Sequence, residues 1–96
     1  ITESDGWATE VDDSEILDAQ MELASEAGIF VEPAAACAWA GVRKDSKMLV
    51  EKFGKDVEVC TLLTGTGFKD MAVFQGRVSI PEAIENSVEA VSKRFK

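Results

Sequence analysis

Residues 61 to 70, TLLTGTGFKD, combine residue types that could hold a ligand at the end of a strand. An apolar run ends at Thr64, whose hydroxyl can donate or accept a hydrogen bond, and Gly65 and Gly67 follow it. In open α/β sheets, ligands bind beyond the carboxyl ends of strands, where adjacent loops diverge. The stretch therefore indicates a site for a phosphate, a site for a cofactor ring, or an ordinary turn.

The glycine pair does not complete either common nucleotide-binding fingerprint. Gly65 and Gly67 supply G-x-G, but Asp70 stands where a dinucleotide-binding motif has its third glycine. The Gly-Lys-Ser/Thr ending of a P-loop is missing as well. The sequence therefore argues against both a Rossmann dinucleotide site and a P-loop.

The composition excludes further classes. The chain has two cysteines, Cys37 and Cys60, and no histidine, which leaves neither a Cys/His zinc set nor an imidazole base for hydrolysis. Both cysteines lie in apolar segments and are interpreted as small buried hydrophobes. A net charge of −8 argues against nucleic acid and anionic membrane surfaces as partners. No apolar run approaches the roughly 20 residues of a membrane span.

Two helices are predicted ahead of the glycine pair. Asp12 and Glu15 have the spacing of a capping box, so a helix is expected to begin there and to end near Gly28. Its apolar face is expected to contain Ile16, Leu17, Met21, Leu23, Ala24 and Ala27. Its solvated face is expected to contain Glu15, Asp18, Glu22 and Glu26. Pro33 suits the first turn of a second helix. The stretch that follows, AAACAWAGVRK, is small and apolar on nearly every side, so its first two turns are expected to be buried rather than amphipathic.

Strands are predicted at residues 6 to 11 and 57 to 63, and a docked terminal helix is predicted after Pro81. The stripe of that terminal helix contains Ile84, Val88, Val91 and Phe95. The order of strands and helices predicts an α/β fold with helices flanking few strands. Because two strands make a poor sheet alone, the missing strands are expected to lie outside this chain.

Two stretches together resemble a known enzyme family. GIFVEPAAACAWAG, residues 28 to 41, followed by LLTGTGFKD, residues 62 to 70, resembles the C-terminal part of threonine synthase. That family consists of pyridoxal-phosphate enzymes of the tryptophan-synthase-β fold group, and the resemblance extends over about residues 6 to 70. It implies that residues 1 to 96 are a single C-terminal segment of a larger fold-type-II domain. The implied reaction converts O-phosphohomoserine and water to threonine and phosphate.

The resemblance also implies roles for particular residues. Thr64 matches the threonine that offers its hydroxyl to the pyridine nitrogen of pyridoxal phosphate. Gly65 and Gly67 would let the backbone pass close to the flat ring. Glu32 matches the glutamate of the E-P motif near the cofactor pocket. The Schiff-base lysine and the phosphate loop lie far upstream in the family, so this chain alone is expected to hold no catalytic residue.

Departures from the family pattern leave alternatives open. Ala35 replaces a common serine, and Thr66 fills a slot often taken by histidine or asparagine. A cysteate synthase or a threonine dehydratase is therefore an alternative. So is a non-catalytic acidic α/β module that binds a partner protein through a strand edge or through Ile84 and Val88.

The expected surroundings of the chain follow from its start and its size. The chain opens ITESDGW, without an initiator methionine or a signal segment, and is expected to be a processed product or a piece of a longer protein. Its partners would be the remainder of the parent enzyme and a small amino-acid substrate. In isolation we expect marginal stability or self-association. Free thiols favour the cytoplasm.

Overall fold

The computed structural model describes residues 1 to 96 and is mainly helical. Its α-helices are α1 (Asp13–Glu26), α2 (Pro33–Phe53), α3 (Met71–Gln75) and α4 (Val88–Arg94). Short 3-10 helices occupy Thr2–Ser4 and Gly67–Asp70. None of these helices is both long enough and apolar enough to span a bilayer.

Helix α1 begins with the predicted capping box. The Asp12 carboxylate accepts a hydrogen bond from the Glu15 amide at 2.8 Å, and the Glu15 carboxylate accepts one from the Asp12 amide at 2.8 Å. The helix ends before Gly28, whose φ of 68° lies in the left-handed region. The amide of Ile29 then donates to the Leu23 carbonyl at 2.9 Å. Both predicted ends of this helix are confirmed.

Helix α2 is a single helix with Pro33 in its first turn and Gly54 at its end, where φ is 94°. The prediction that its first two turns are buried is only partly right. They are buried on one side, because only that side packs against α1. Ala34 and Ala38 are exposed on the other side. The buried positions of α2 are Ala35, Ala36 and Ala40.

The core lies between α1 and α2. Leu23 packs there with Val31, Ala35 and Ala36. The most buried positions of α1 also include Ala19 and Gln20, which the predicted apolar face left out, whereas Ala27 of that face is exposed. Gln20 is tolerated inside because its side-chain amide donates to the Val31 carbonyl at 2.7 Å.

The acidic face of α1 is partly exposed, as predicted, but Glu15, Asp18 and Glu22 of that face are paired with cations. Lys44 of α2 lies 3.0 Å from Glu15, and Arg43 lies 3.0 Å from Glu22. Because all four side chains keep contact with solvent, each pair contributes about 1 kcal/mol or less. The two ion pairs therefore influence the relative orientation of α1 and α2 more than the stability of the fold.

The two predicted strands are not formed. The β pairing is a single antiparallel bridge between Val31 and Thr66. Residues 58 to 64 make no backbone hydrogen bond to any other part of the chain. An extended, β-branched run becomes a strand only beside a partner, and these 96 residues supply none. The predicted α/β arrangement is therefore not confirmed within this chain.

The terminal helix is shorter than predicted and is not docked. Helix α4 begins only after Ser87, whose hydroxyl accepts from the Ala90 amide at 3.1 Å, so Pro81 does not start it. The predicted apolar stripe remains in solvent, with Val88 89% and Phe95 82% exposed. The stripe has no apolar surface of this chain to cover, so the prediction of docking is wrong here.

The thiols are also less buried than predicted. Cys60 is exposed because it lies in the unpaired segment, and Cys37 is half-buried because α2 packs on one side only. The whole molecule shows the same pattern, with 8 of its 96 residues buried. Its radius of gyration is 18.2 Å, against roughly 12 to 13 Å for a compact domain of this length.

Candidate functional site

The two sequence motifs meet in space. At the bridge between Val31 and Thr66, the Glu32 amide donates to the Gly65 carbonyl at 3.2 Å. On the other side of the bridge, the Gly67 amide donates to the Phe30 carbonyl at 3.1 Å. The segment ahead of α2 and the glycine-containing segment therefore form one small structural unit.

Gly65 is required by its conformation and by its neighbour. Its φ of 77° lies in the left-handed region, which side chains disfavour. A Cβ at this position would also overlap the Glu32 side chain, whose carboxylate lies directly over the glycine. The missing side chain of Gly65 therefore makes room for Glu32.

Gly67 makes room for an aromatic ring. A Cβ built on this buried glycine would lie 2.5 Å from Cζ of Phe30. The Phe30 ring is held from other directions by Phe68, edge-on at 5.2 Å between centroids, and by Phe74, tilted at 4.7 Å. Because these rings restrict Phe30, the space above Gly67 is filled by a side chain that cannot easily withdraw.

Glu32 lies at the N-terminus of α2 but does not cap it with its side chain. Its carbonyl accepts from the amides of Ala35 and Ala36, both at 3.0 Å, while its carboxylate turns towards Gly65. A carboxylate is favoured here by the positive end of the helix dipole. The Lys69 ammonium lies 3.8 Å from the Glu32 carboxylate.

Thr64 is exposed at the end of the extended segment, immediately before Gly65. Its hydroxyl makes no hydrogen bond within the chain and can serve a group outside it. Thr66 differs, because its hydroxyl accepts from the Phe68 amide at 3.5 Å and caps the following 3-10 turn. The structure thus brings Glu32 beside Gly65 and leaves Thr64 next to them with an available hydroxyl.

The site is not enclosed by this chain. No cavity of this chain is lined by Thr64, Gly65 or Glu32. A ligand that contacts these residues would need further walls, since binding sites normally enclose most of a small molecule.

Phe30 is the residue that sequence reasoning missed. It lies inside the quoted GIFVEP stretch, but no role was predicted for it. The available signal was alternation: in an extended segment, residues 30 and 32 project to the same side. Two glycines with the same spacing, Gly65 and Gly67, are the complementary pattern on the opposite segment.

The carboxyls with shifted pKa values lie outside this site. The pKa of Glu15 is lowered, first by the backbone hydrogen bond from Asp12 and then by the hydrogen bond from Lys44. The pKa of Asp45 is lowered, first by the Thr9 hydroxyl and then by the Trp7 indole. Both shifts come from contacts that hold the helices and the N-terminal segment together.

Curated threonine synthases are similar to this chain over most of its length, although no family model matches it. The enzyme of Methanosarcina acetivorans is 40% identical over 95% of the chain, and that of Halalkalibacterium halodurans is 38% identical over 98%. The enzyme of Methanocaldococcus jannaschii is 43% identical over 73% of the chain. The chain spans 22%, 26% and 17% of these three relatives, respectively. The resemblance found in the two motifs is thus confirmed over the wider sequence, and the chain belongs to the threonine synthase family.

Proposed function

We propose that this chain is the C-terminal part of a pyridoxal-phosphate-dependent threonine synthase, a lyase that converts O-phosphohomoserine and water to threonine and phosphate. Residues 1 to 96 would form a single segment of the larger domain of that enzyme. The observation that carries the proposal is the contact between the two family-like motifs, which joins Glu32 to Gly65 beside an available Thr64 hydroxyl. The names and coverage of the relatives support the same reaction.

The residues present are suited to the pyridine side of the cofactor. Pyridoxal phosphate, when bound, supplies an electron sink for chemistry at the substrate's carbon atoms. The Thr64 hydroxyl would donate a hydrogen bond to the unprotonated ring nitrogen, whereas a carboxylate in its place would hold a proton there. Gly65 would bring the backbone close to the ring, and Glu32 would form the adjoining wall. A neutral partner at the nitrogen gives milder electron withdrawal than a carboxylate.

The remainder of the enzyme is the partner that the exposed surfaces require. Residues 58 to 64 offer unpaired backbone groups on both edges, and the apolar stripe of α4 is in solvent. The part of the relatives that this chain does not span would supply the sheet, the Schiff-base lysine and the phosphate loop. Covering these surfaces would remove the edge and the apolar patch that favour self-association of the isolated piece.

The test replaces hydroxyls in the full-length protein loaded with pyridoxal phosphate. Thr64→Val removes the hydroxyl at nearly constant volume and is expected to shift the absorption spectrum of the bound cofactor. We expect turnover of O-phosphohomoserine to fall about tenfold, the effect of losing roughly one hydrogen bond of about 1.4 kcal/mol. Thr64→Ser keeps the hydroxyl and is expected to retain most activity. Thr61→Val, the same change three residues earlier, is the matched control.

A Thr64→Val protein with unchanged spectrum and turnover would contradict the assigned role. Assays with phosphohomoserine, phosphoserine and threonine separate a threonine synthase from a cysteate synthase and a threonine dehydratase. A reading frame that does not extend to the rest of a threonine synthase would instead favour a non-catalytic interaction module.

A further inference from the structure

We infer that Phe30 is a positioning residue for the cofactor site, acting through Gly67 on the backbone that carries Thr64. The role of Thr64 in this inference rests on the proposed function. The packing of Phe30 against Gly67, which is the evidence for the inference, is independent of that function. The far end of the Phe30 ring occupies the place of the absent Gly67 side chain, with Cζ, Cε1 and Cε2 all within 2.6 Å of an ideal Cβ. The Glu32 carboxylate occupies the equivalent place at Gly65.

The packing of Phe30 on Gly67 and of Glu32 on Gly65 is compatible with only one pairing register of the two segments. The bridge between Val31 and Thr66 sets Gly65 opposite Glu32 and Gly67 opposite Phe30. A slip by one residue would place threonines or bulky side chains opposite both. A slip by two residues would leave a glycine on one side only and bring Leu63 or Lys69 against the other. Only the observed register provides a glycine for both large side chains.

The register matters because it sets the position of Thr64, the residue directly before Gly65. The Gly65 carbonyl accepts a hydrogen bond from the Glu32 amide, so the peptide that joins Gly65 to Thr66 is fixed relative to α2, and Thr64 lies one residue before it. Phe30 in turn is held between Phe68 and Phe74, at 5.2 and 4.7 Å between ring centroids. A group that must reach a ring nitrogen needs placement within a fraction of an ångström, and a rigid neighbour supplies it.

The test adds a methyl group at Gly67 in the full-length protein loaded with pyridoxal phosphate. The backbone of Gly67 is not in the left-handed region, so Gly67→Ala acts through the clash with Phe30. We expect cofactor affinity to fall about tenfold, with a shifted cofactor spectrum, as overpacking displaces the segment. Gly76→Ala is the control, because nothing lies within 4 Å of a Cβ there. Its affinity and spectrum are expected to match those of the unmodified protein.

Rescue tests whether the clash with Phe30 causes the loss of cofactor affinity in Gly67→Ala. Phe30→Leu removes the three ring atoms that the new methyl would meet, so Gly67→Ala with Phe30→Leu is expected to bind the cofactor within about threefold of the unmodified protein. Normal affinity and spectrum in Gly67→Ala, or no recovery in the double variant, would overturn the inference. Rescue of affinity by Phe30→Leu together with a silent Thr64→Val would leave the role of Phe30 standing and refute that of Thr64. The reverse result would refute the role of Phe30 alone.

Discussion

Residues 12 to 54 form a first region and the apolar runs at residues 57 to 63 and 84 to 95 form a second region, and the two reach opposite outcomes. In the first region, the apolar face of α1 meets the small residues of α2 and closes a core around Leu23 and Ala36. In the second region, the apolar stripe of α4 and the run at residues 57 to 63 stay largely in solvent. A pattern specifies which face is buried, but a partner within reach decides whether it is buried in this chain.

The N-terminal segment belongs with the first region because α2 holds it. The Trp7 indole donates to the Asp45 carboxylate at 2.8 Å, and the Thr9 hydroxyl donates to the same carboxylate. Lys52 lies 5.1 Å from the centre of the Trp7 ring and 3.0 Å from the Asp5 carboxylate. These contacts are exposed, so they order the segment more than they stabilise the fold.

The largest expected effect comes from removing a large side chain from the core of the first region. In the chain of residues 1 to 96, Leu23→Ala is expected to lower the free energy of unfolding by about 2 to 3 kcal/mol, because it leaves a cavity between α1 and α2. Val91 of α4 is 47% exposed. Val91→Ala is therefore expected to change the free energy of unfolding by less than about 0.5 kcal/mol. Urea unfolding followed by far-ultraviolet circular dichroism measures both.

Equal effects of the two substitutions would break the comparison. A loss of about 1 kcal/mol or more from Val91→Ala would mean that α4 is docked in solution. In the full-length protein the comparison should change, because the stripe of α4 is expected to be covered there, and Val91→Ala should then become destabilising.

Local signals in the sequence predict the helical hairpin well. The capping box at Asp12 and Glu15, the left-handed end at Gly28 and the proline at the start of α2 all act within a few residues. Such signals need no distant partner, so a single sequence reveals them. The burial of Gln20 could not be predicted in this way, because it depends on the Val31 carbonyl reached through the turn.

Strand pairing and docking are non-local, and those predictions failed within this chain. The run at residues 57 to 63 has the composition of a strand, but a sheet needs neighbouring strands that these 96 residues do not provide.

The candidate site could be predicted in part from the sequence. Its motifs identified Thr64, Gly65 and Glu32 as candidates, whereas the contact of Phe30 with Gly67 is visible only once both segments are paired.

Removing a helix cap is expected to have a smaller effect on stability, and the effect should differ between the two regions. Asp12→Ala removes the carboxylate that accepts from the Glu15 amide, and it is expected to lower the free energy of unfolding by about 1 kcal/mol. Ser87→Ala removes the same kind of cap from α4, where the hydroxyl accepts from the Ala90 amide. Because α4 does not pack on the core, this second change should reduce helical content without moving the main urea transition. A shift of that transition by Ser87→Ala would show that α4 unfolds together with α1 and α2.

The smallest effect is the pH dependence of the first region. The folded state lowers the pKa of Glu15 from its ordinary 4.5, chiefly through the Asp12 amide, and that of Asp45 from its ordinary 3.8, chiefly through the Thr9 hydroxyl. A lowered pKa means that the folded chain binds fewer protons than the unfolded chain at that carboxyl. The stabilisation is therefore complete above the ordinary value and is lost as pH falls through the lowered one.

Acid titration of the chain, followed by urea unfolding at each pH, measures this loss. Stability should begin to decline near pH 4.5 through Glu15 and near pH 3.8 through Asp45. Glu15→Gln and Asp45→Asn should each flatten the corresponding part of the profile, because the amide cannot titrate. Trp7 fluorescence should follow the Asp45 step alone, since its indole donates to that carboxylate. An unchanged profile in Asp45→Asn would mean that the N-terminal segment is not held to α2 in solution, and the first region would then be confined to the two helices.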